Sequence, residues 1–184
     1  MRPPGPFGVD DQGTELLLSA RRILVLGPCG AGKSTLSRKL APALGLPLVH
    51  LDAEFWQPGW TPSPDAAWRA RVEAICAAPE WLIEGTFVGT LPYRTSRADA
   101  AIVLDFPRHL CMTRVLRRVL RTRGRVREDM APECPERLDL EFLRFVWRFD
   151  VDCRPAMFEA IDGLPTVVLK RPRDAERLLA NLRR

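Results

Sequence analysis

Short apolar runs and longer amphipathic patterns alternate along the chain. After the first apolar run, Leu36, Leu40, Ala43 and Leu44 recur at helical spacing, and Gly45 ends the pattern. The alternation predicts an α/β fold, in which helices cover both faces of a parallel sheet. The predicted strands lie at 22–26, 47–52, 81–83, 101–106 and 166–170.

The first 20 residues do not follow this pattern. The segment Arg2–Gly8 is rich in Pro and Gly, which favours irregular structure over a helix or a strand. We therefore expect a flexible tail over residues 1–20, followed by one domain over residues 21–184.

Composition narrows the class of protein. The 184 residues carry a net charge of +5 and include five cysteines that lie far apart. Their spacing argues against a zinc cluster or a disulfide framework. No segment approaches the roughly 20 apolar residues that a membrane helix needs. We expect a cytoplasmic protein with reduced thiols and no membrane partner, either a monomer or a dimer.

A glycine-rich loop follows the first predicted strand and matches G-x-x-x-x-G-K-[ST] in the strand-loop-helix context that this motif requires. Its glycines allow successive backbone N–H groups to surround a polyphosphate at the start of a helix. Lys33 then reaches the outer phosphates, and Ser34 ligates the bridging Mg²⁺. The predicted nucleotide-binding residues are Gly27, Pro28, Cys29, Gly30, Ala31, Gly32, Lys33, Ser34 and Thr35.

The helix predicted after Pro107 has one apolar face and one cationic face. Arg114, Arg117, Arg118 and Arg121 share the cationic face. Because like charges at i,i+4 repel, this stripe indicates an anionic ligand. The alternative is a basic surface whose arginines meet acidic residues elsewhere in the fold.

The segment after this helix, about 121–137, is polar and interrupted by Gly and Pro, which predicts a lid. Arg123, Arg125 and Arg127 lie within it. An arginine-rich lid can close over phosphates, exclude water and stabilise transferred charge.

Carboxylates and aromatic side chains follow two of the predicted strands. Asp52 is a candidate to orient or deprotonate an acceptor hydroxyl, or to hold Mg²⁺ through water, and the alternative is a strand-end cap. Glu84 has the same two candidate roles toward Mg²⁺ or an acceptor. Trp56 and Trp60 form either an acceptor-stacking wall or part of the core. Asp105 occupies a Walker-B-like position.

The chain resembles the nucleoside-monophosphate-kinase-like P-loop kinases, and more narrowly the adenylate-kinase-related group labelled DNA topology modulation protein, or FlaR-like. The resemblance covers roughly residues 22–179. The segments that carry it, beyond the phosphate loop, are His50–Asp52, Phe55–Trp60, Ile83–Gly85, Leu104–Arg108, Arg123–Arg125, Asp129–Met130, Cys134–Glu136 and Phe142–Trp147.

This resemblance implies a three-layer P-loop kinase fold, with a five-stranded parallel sheet ordered 2-3-1-4-5 and the nucleotide at the carboxyl ends of the strands. It places Arg114 and Arg118 at the start of the lid, against adenine and phosphates. Glu84 and Gly85 match an acidic-Gly pair whose carboxylate holds water on Mg²⁺. The segment Arg171, Pro172 and Arg173 resembles the loop that packs on the adenine edge.

Two departures concern the acceptor. Residues Glu84–Val88 lack the Pro and Arg by which adenylate kinases recognise AMP, so AMP is not the expected acceptor. Asp52 is similar to the acidic residue that engages the acceptor hydroxyl in shikimate- and gluconate-kinase-like enzymes.

Together these patterns predict an ATP-dependent phosphotransferase that uses Mg²⁺ and acts on a nucleotide, a nucleoside or another hydroxylated metabolite. One alternative is a P-loop ATPase or regulatory protein that binds nucleic acid through the arginine stripe, and another is a degenerate kinase kept as an interaction module. The predicted catalytic residues are Lys33, Asp52, Arg118, Arg123 and Arg125. The predicted acceptor-binding residues are Asp52, Trp56, Trp60, Glu84 and Gly85, and the predicted metal-binding residues are Ser34 and Glu84.

Overall fold

A computed structural model describes residues 7–183, and its centre is a parallel sheet of five strands. The strands follow in spatial order β2-β3-β1-β4-β5, which confirms the predicted order 2-3-1-4-5. Each strand lies within two residues of its predicted bounds. The strands are β1 (Arg22–Leu26), β2 (Leu48–His50), β3 (Trp81–Glu84), β4 (Ala100–Leu104) and β5 (Thr166–Leu169).

The central strands are apolar along their whole length because helices cover both faces of the sheet. Strand β1 pairs in parallel with β3, where Leu24 lies opposite Ile83, and with β4, where Leu24 lies opposite Ala101. Alternate residues enter two different cores. Ile23 and Val25 belong to one, and Leu24 belongs to the other. This arrangement is typical of parallel sheets, whose strands are buried on both sides.

Helices connect and cover the strands. Two 3₁₀ turns, at Pro58–Trp60 and Val88–Thr90, and a two-residue antiparallel pair, Trp56–Gln57 with Thr61–Pro62, lie near the carboxyl edge of the sheet. The helices are α1 (Asp11–Ser19), α2 (Lys33–Leu44), α3 (Leu51–Phe55), α4 (Asp65–Cys76), α5 (Leu91–Thr95), α6 (Arg108–Thr122), α7 (Leu140–Asp152), α8 (Arg154–Ala160) and α9 (Pro172–Asn181).

Residues 7–20, which we expected to be part of a flexible tail, include the helix α1, and residues 1–6 lie outside the described residues. The Asp10 side chain accepts a hydrogen bond from the Gly13 backbone over 2.9 Å and caps α1. Leu17 on that helix is fully buried in the core, and the Phe7 backbone N–H bonds the Thr166 carbonyl. The Pro and Gly composition applies only to the residues before this cap, so it does not describe the helix that follows.

The second predicted strand also ends earlier than expected. It stops at His50, and Leu51–Phe55 winds into the short helix α3 because Leu51 and Phe55, four residues apart, both pack into the core. Asp52 therefore lies in the first turn of a helix at the carboxyl edge of the sheet, and not at the end of a strand.

The segment between α6 and α7, which corresponds to the predicted lid, folds back on itself. Isolated bridges join Arg123 to Glu136 and Val126 to Pro135. Within residues 7–183, no helix combines the length and apolar character needed to cross a bilayer. The five cysteines are free thiols, and all but the half-buried Cys29 are buried.

Candidate active site

A cavity of about 1190 Å³ lies at the carboxyl edge of the sheet. The phosphate loop after β1 lines its middle. Because β2 and β5 are opposite edge strands, the residues after β2 and those after β5 lie at opposite ends of the cavity. Residues of the lid line it as well, among them Arg127, Asp129 and Glu136. Ligand pockets of α/β proteins characteristically lie at this edge.

The phosphate loop adopts a backbone that only glycine accommodates easily. Gly27, Gly30 and Gly32 have φ values of 135°, 84° and 100°. A Cβ atom on Gly30 would overlap the carbonyl oxygen of Cys111, so helix α6 sits directly against the loop. Gly32 is the N-cap of α2, which presents its free N–H groups and positive dipole end to the cavity.

The Lys33 ammonium group lies over the loop that precedes it. Its Nζ atom donates hydrogen bonds to the carbonyl oxygens of Gly27, over 2.9 Å, and Pro28, over 3.1 Å. An ammonium group has three donors, so one remains for a ligand. All the predicted loop residues except Pro28 line the cavity.

Ser34, Glu84 and His50 form a hydrogen-bonded group beside the loop. The Ser34 hydroxyl donates to Oε1 of Glu84 over 2.9 Å, and Nδ1 of His50 lies 2.8 Å from the same oxygen. Glu84 is almost completely buried, with 3% exposure. Both predicted metal-binding residues therefore lie in direct contact.

Asp52 is a half-buried carboxylate that lines the same cavity. Burial raises the pKa of Asp52 above its ordinary value, and the charge of Glu84 raises it further, against the opposing charge of Lys33. A carboxylate with a raised pKa is a stronger proton acceptor, which suits a general base.

A third carboxylate, Asp129, reaches this area from the lid and was not predicted. Its Oδ2 atom lies 3.0 Å from Nη1 of Arg127. Burial alone would raise the pKa of Asp129, but the Arg127 guanidinium and the neighbouring Ser34 hydroxyl hold the pKa below its ordinary value. The pair Asp129–Met130 was visible in the sequence only as part of the family resemblance, with no role attached to it.

The arginines divide into those that line the cavity and those that do not. Arg114 donates to the Ala31 carbonyl over 2.9 Å, and Arg118 donates to Oε1 of Glu136 over 3.0 Å. In the lid, Arg127 lines the cavity, whereas the predicted catalytic residues Arg123 and Arg125 are exposed and lie outside its lining. Which lid arginines point inward depends on how the lid pairs with itself, and spacing in the sequence does not reveal this.

The segment after β5 contributes less than the resemblance implies. Pro172 lines the cavity, but Arg171 and Arg173 are exposed and do not. The backbone N–H groups of Lys170 and Arg171 both donate to Oδ2 of Asp174, which caps α9. The position of Arg171 is therefore set by helix capping.

The two predicted acceptor-side tryptophans line the cavity and also contact the lid. Their ring centroids lie 5.4 Å apart, nearly perpendicular to each other. Nε1 of Trp60 donates to the Pro135 carbonyl over 3.0 Å. Trp56 and Trp60 pack against a small lid cluster of Met130, Ala131 and Cys134. These contacts fit the core alternative in part, and the acceptor-stacking role stays a prediction.

The loop after β3 is held by contacts that the sequence did not suggest. The Thr86 hydroxyl donates to the Gly27 carbonyl over 2.7 Å and accepts from the Gly27 N–H over 3.1 Å. Arg94 is fully buried and donates to the carbonyl oxygens of Gly85 and Phe87, each over 2.9 Å, and to that of Thr86. Desolvation lowers the pKa of Arg94 to about 10.

The Walker-B-like Asp105 lies outside this cavity. Its two carboxylate oxygens accept hydrogen bonds from Nε and Nη2 of Arg154, each over 2.8 Å. This bidentate pair joins the end of β4 to the start of α8, so the structure gives Asp105 a contact typical of a structural ion pair.

The oxygen atoms near Ser34 suit a magnesium ion that enters with a nucleotide. Among the described residues, no group of three or more His, Cys, Asp and Glu side chains encloses a common metal position. Mg²⁺ is commonly held by one or two protein oxygens, several waters and substrate phosphates. Ser34 and Glu84, with Asp52 and Asp129 nearby, supply oxygen donors of the kind that Mg²⁺ prefers.

Comparison with known proteins identifies the fold. No protein-family model matches the chain. The structure is similar to a shikimate kinase from Acinetobacter baumannii solved in complex with shikimate, with a TM-score of 0.57 and 17% identity over 92% of this chain and 94% of that one. It is also similar to a gluconokinase from Sinorhizobium meliloti 1021, with a TM-score of 0.51 and 17% identity over 89% and 91% of the two chains. The chain therefore has the fold of P-loop kinases.

A local sequence match points in the same direction. A segment of 37 residues is 51% identical to a shikimate kinase from Histophilus somni (strain 2336). The match spans only 20% of this chain and 21% of that protein, so it is a local likeness. The narrower FlaR-like grouping stays a prediction.

Proposed function

We propose that this protein is an ATP-dependent phosphotransferase that moves the γ-phosphoryl group of Mg-ATP to a small acceptor. One observation carries the proposal: Lys33 and Ser34 of the phosphate loop line the same cavity as Asp52, whose carboxylate has a raised pKa, and as arginines of the lid. The proteins with the same fold that are named above are described as kinases, which supports this reading.

The phosphate loop would bind the ATP phosphates through its backbone N–H groups, the α2 dipole and Lys33. Ser34 and Glu84 would hold Mg²⁺. When bound, Mg²⁺ would neutralise the charge that develops on the phosphates. Arg114 would orient the nucleotide from α6.

Asp52 would then accept the proton of the acceptor hydroxyl as its oxygen attacks the γ-phosphorus. The bond between that phosphorus and the bridging oxygen breaks, and its electron pair leaves with ADP. Arg118 and Arg127 would stabilise the transferred charge. Arg127 thereby takes the role that we predicted for Arg123 and Arg125.

The acceptor in this proposal is a hydroxylated metabolite, a nucleoside or a nucleotide other than AMP. Asp52 and Gly85 would contact its polar groups, and Trp56 and Trp60 would face its flat or apolar side. Membership in the FlaR-like group, a cytoplasmic location and a monomeric or dimeric state belong to the same proposal.

ADP formation with Mg²⁺, measured over a panel of nucleosides, nucleotides and hydroxylated metabolites, tests the proposal. We expect one acceptor to raise turnover well above the background with water. Lys33→Ala should lower that turnover by about 100-fold or more, because it removes a preorganised charge from the phosphates. Lys170→Ala is the matched control, since Lys170 is exposed and outside the cavity. If no acceptor in the panel raises ADP formation above the background with water, the result contradicts the proposed kinase activity.

A second candidate function is supported by four exposed arginines. Arg117, Arg121, Arg123 and Arg125 form no ion pair within residues 7–183. A regulatory ATPase that binds nucleic acid through this surface would show ADP formation stimulated by DNA or RNA. Its affinity for the nucleic acid would fall steeply with salt. Absence of such stimulation excludes this candidate.

A further inference from the structure

Glu136, at the base of the lid, contacts two of the cavity arginines at once. Oε1 of Glu136 accepts a hydrogen bond from Nη2 of Arg118 over 3.0 Å, and Oε2 lies 2.9 Å from Nε of Arg127. Arg118 comes from helix α6 and Arg127 from the lid. The carboxylate therefore links helix α6 to the lid segment that follows it.

The backbone fixes the position of this carboxylate. The Glu136 N–H donates to the Arg125 carbonyl, and the Glu136 carbonyl accepts from the Gly124 N–H, each over 2.9 Å. The preceding carbonyl, that of Pro135, accepts from Trp60. With 5% exposure, Glu136 is also nearly closed off from solvent. Arg118 and Arg127 thus both contact a carboxylate whose backbone is held in place by hydrogen bonds.

Charge explains why a carboxylate is needed there. Two guanidinium groups that share one cavity repel each other, and a carboxylate between them offsets that repulsion. A guanidinium has five N–H donors, so each arginine keeps donors for a further ligand. Nε of Arg118 is buried and has no hydrogen-bond partner among the described residues.

We propose that Glu136 is a positioning residue that holds Arg118 and Arg127 as a pair, so that together they receive the charge of the transferred phosphoryl group. The inference rests on the proposed phosphotransferase function. We assign Glu136 no contact with the reacting atoms: its Oε1 atom is hydrogen-bonded to Arg118, and its Oε2 atom, which has no hydrogen-bond partner among the described residues, lies at ion-pair distance from Arg127.

This role has a signature that a general structural role lacks. Removing the negative charge of Glu136 makes the cavity more positive, which favours the polyanion ATP in the ground state. The same change releases the two arginines from their geometry, which lowers the rate of the chemical step. Affinity and turnover should therefore move in opposite directions.

The test is Glu136→Gln, with Glu133→Gln as the matched control, since Glu133 is an exposed lid glutamate outside the cavity. We expect Glu136→Gln to lower kcat by about 10- to 100-fold while ATP binds at least as tightly in calorimetry. Glu133→Gln should leave both unchanged. Parallel losses of kcat and ATP affinity would indicate a merely structural role and would overturn the proposal. A rise in kcat would also overturn it, because Glu136 would then compete with the phosphates for the two arginines.

A second measurement does not depend on turnover. In the free protein, trypsin should cleave after Arg127 several-fold faster, relative to the exposed Arg125, when Glu136 is replaced by Gln, because the paired side chain becomes accessible. An unchanged ratio overturns the positioning role. If the wild-type protein transfers no phosphoryl group, the proposed function fails, and the cleavage ratio still decides whether Glu136 holds Arg127.

Discussion

The hydroxyl of Ser34 donates to Oε1 of Glu84 over 2.9 Å and so ties the start of α2 to the end of β3. The end of β3 lies beside the start of α2 because β3 pairs directly with β1, and the loop after β1 leads into α2. The contact orients the hydroxyl that we expect to ligate Mg²⁺. Loss of a hydrogen-bond partner of a metal ligand typically lowers metal affinity by about 10- to 100-fold.

Glu84→Gln should therefore weaken the apparent affinity for Mg²⁺ in ATP binding by about 10-fold. The reason is loss of the charge that orients Ser34 and attracts the ion. A magnesium titration of ATP binding measures the effect. Glu80→Gln serves as control, because Glu80 pairs with Arg21 at the surface. An unchanged titration with Glu84→Gln would remove Glu84 from the metal site.

Asp52→Asn should stabilise the protein without ligands at neutral pH and above. The pKa of Asp52 is raised in the folded state, so the folded protein holds this proton more tightly than the unfolded chain does. The free energy of unfolding then falls as the pH rises from the ordinary value of 3.8 through the folded pKa. Asparagine carries no charge, and the stabilisation should vanish below that window.

Urea unfolding at several pH values measures this difference. Asp162→Asn, at an exposed position, is the control and should show no comparable pH dependence. A stabilisation by Asp52→Asn that is equal at acidic and neutral pH would mean that the charge of Asp52 is not its cause.

Gly30→Ala should abolish measurable ATP binding. Gly30 has a φ of 84°, and an added Cβ would collide with the Cys111 carbonyl, so the loop or helix α6 must shift. Gly163→Ala is a close control, because Gly163 has a φ of 82° with open space around it. It should cost only the left-handed strain, about 1 kcal/mol. Calorimetry of ATP binding and urea unfolding separate the two effects.

Arg94→Met should lower the free energy of unfolding by about 2 kcal/mol. The substitution relieves the desolvation of a buried charge, but it leaves the carbonyl groups of Gly85, Thr86 and Phe87 without a donor. Phe87 also holds a strained φ of 33°, which depends on this support. Arg97→Met, on an exposed position of the same segment, should change stability little. Equal stability of the two variants would contradict this account.

The features that the sequence predicted correctly are local ones. Loop spacing and strand bounds follow from contiguous patterns around Gly27 to Thr35 and from the alternation of strands and helices. The sheet order is not local, and it was implied by the family resemblance. The helix α1 was missed because the composition of residues 1–8 was extended past the Asp10 cap. Asp10 caps the first turn of α1, but the helix is also stabilised by burial of Leu17 in the core, which the local sequence does not reveal.

The sequence pattern does not distinguish the lid arginines that line the cavity from those that are exposed. Arg123, Arg125 and Arg127 have the same chemistry and alternate along the chain, yet only Arg127 among them lines the cavity. The difference arises from the bridges that fold the lid. Glu136 and Asp129 were not predicted as partners of Arg127, because these contacts depend on how the lid folds back on itself.

The docking of Trp60 on the Pro135 carbonyl joins two elements that would otherwise move separately. A lid that swings outward must either break this contact or carry part of the tryptophan wall with it. Entry of the acceptor and exposure of the nucleotide to bulk water would then be one gated event. In the proposed phosphotransferase, such an arrangement would limit hydrolysis of ATP by water, because the lid and the tryptophan side of the cavity would close together.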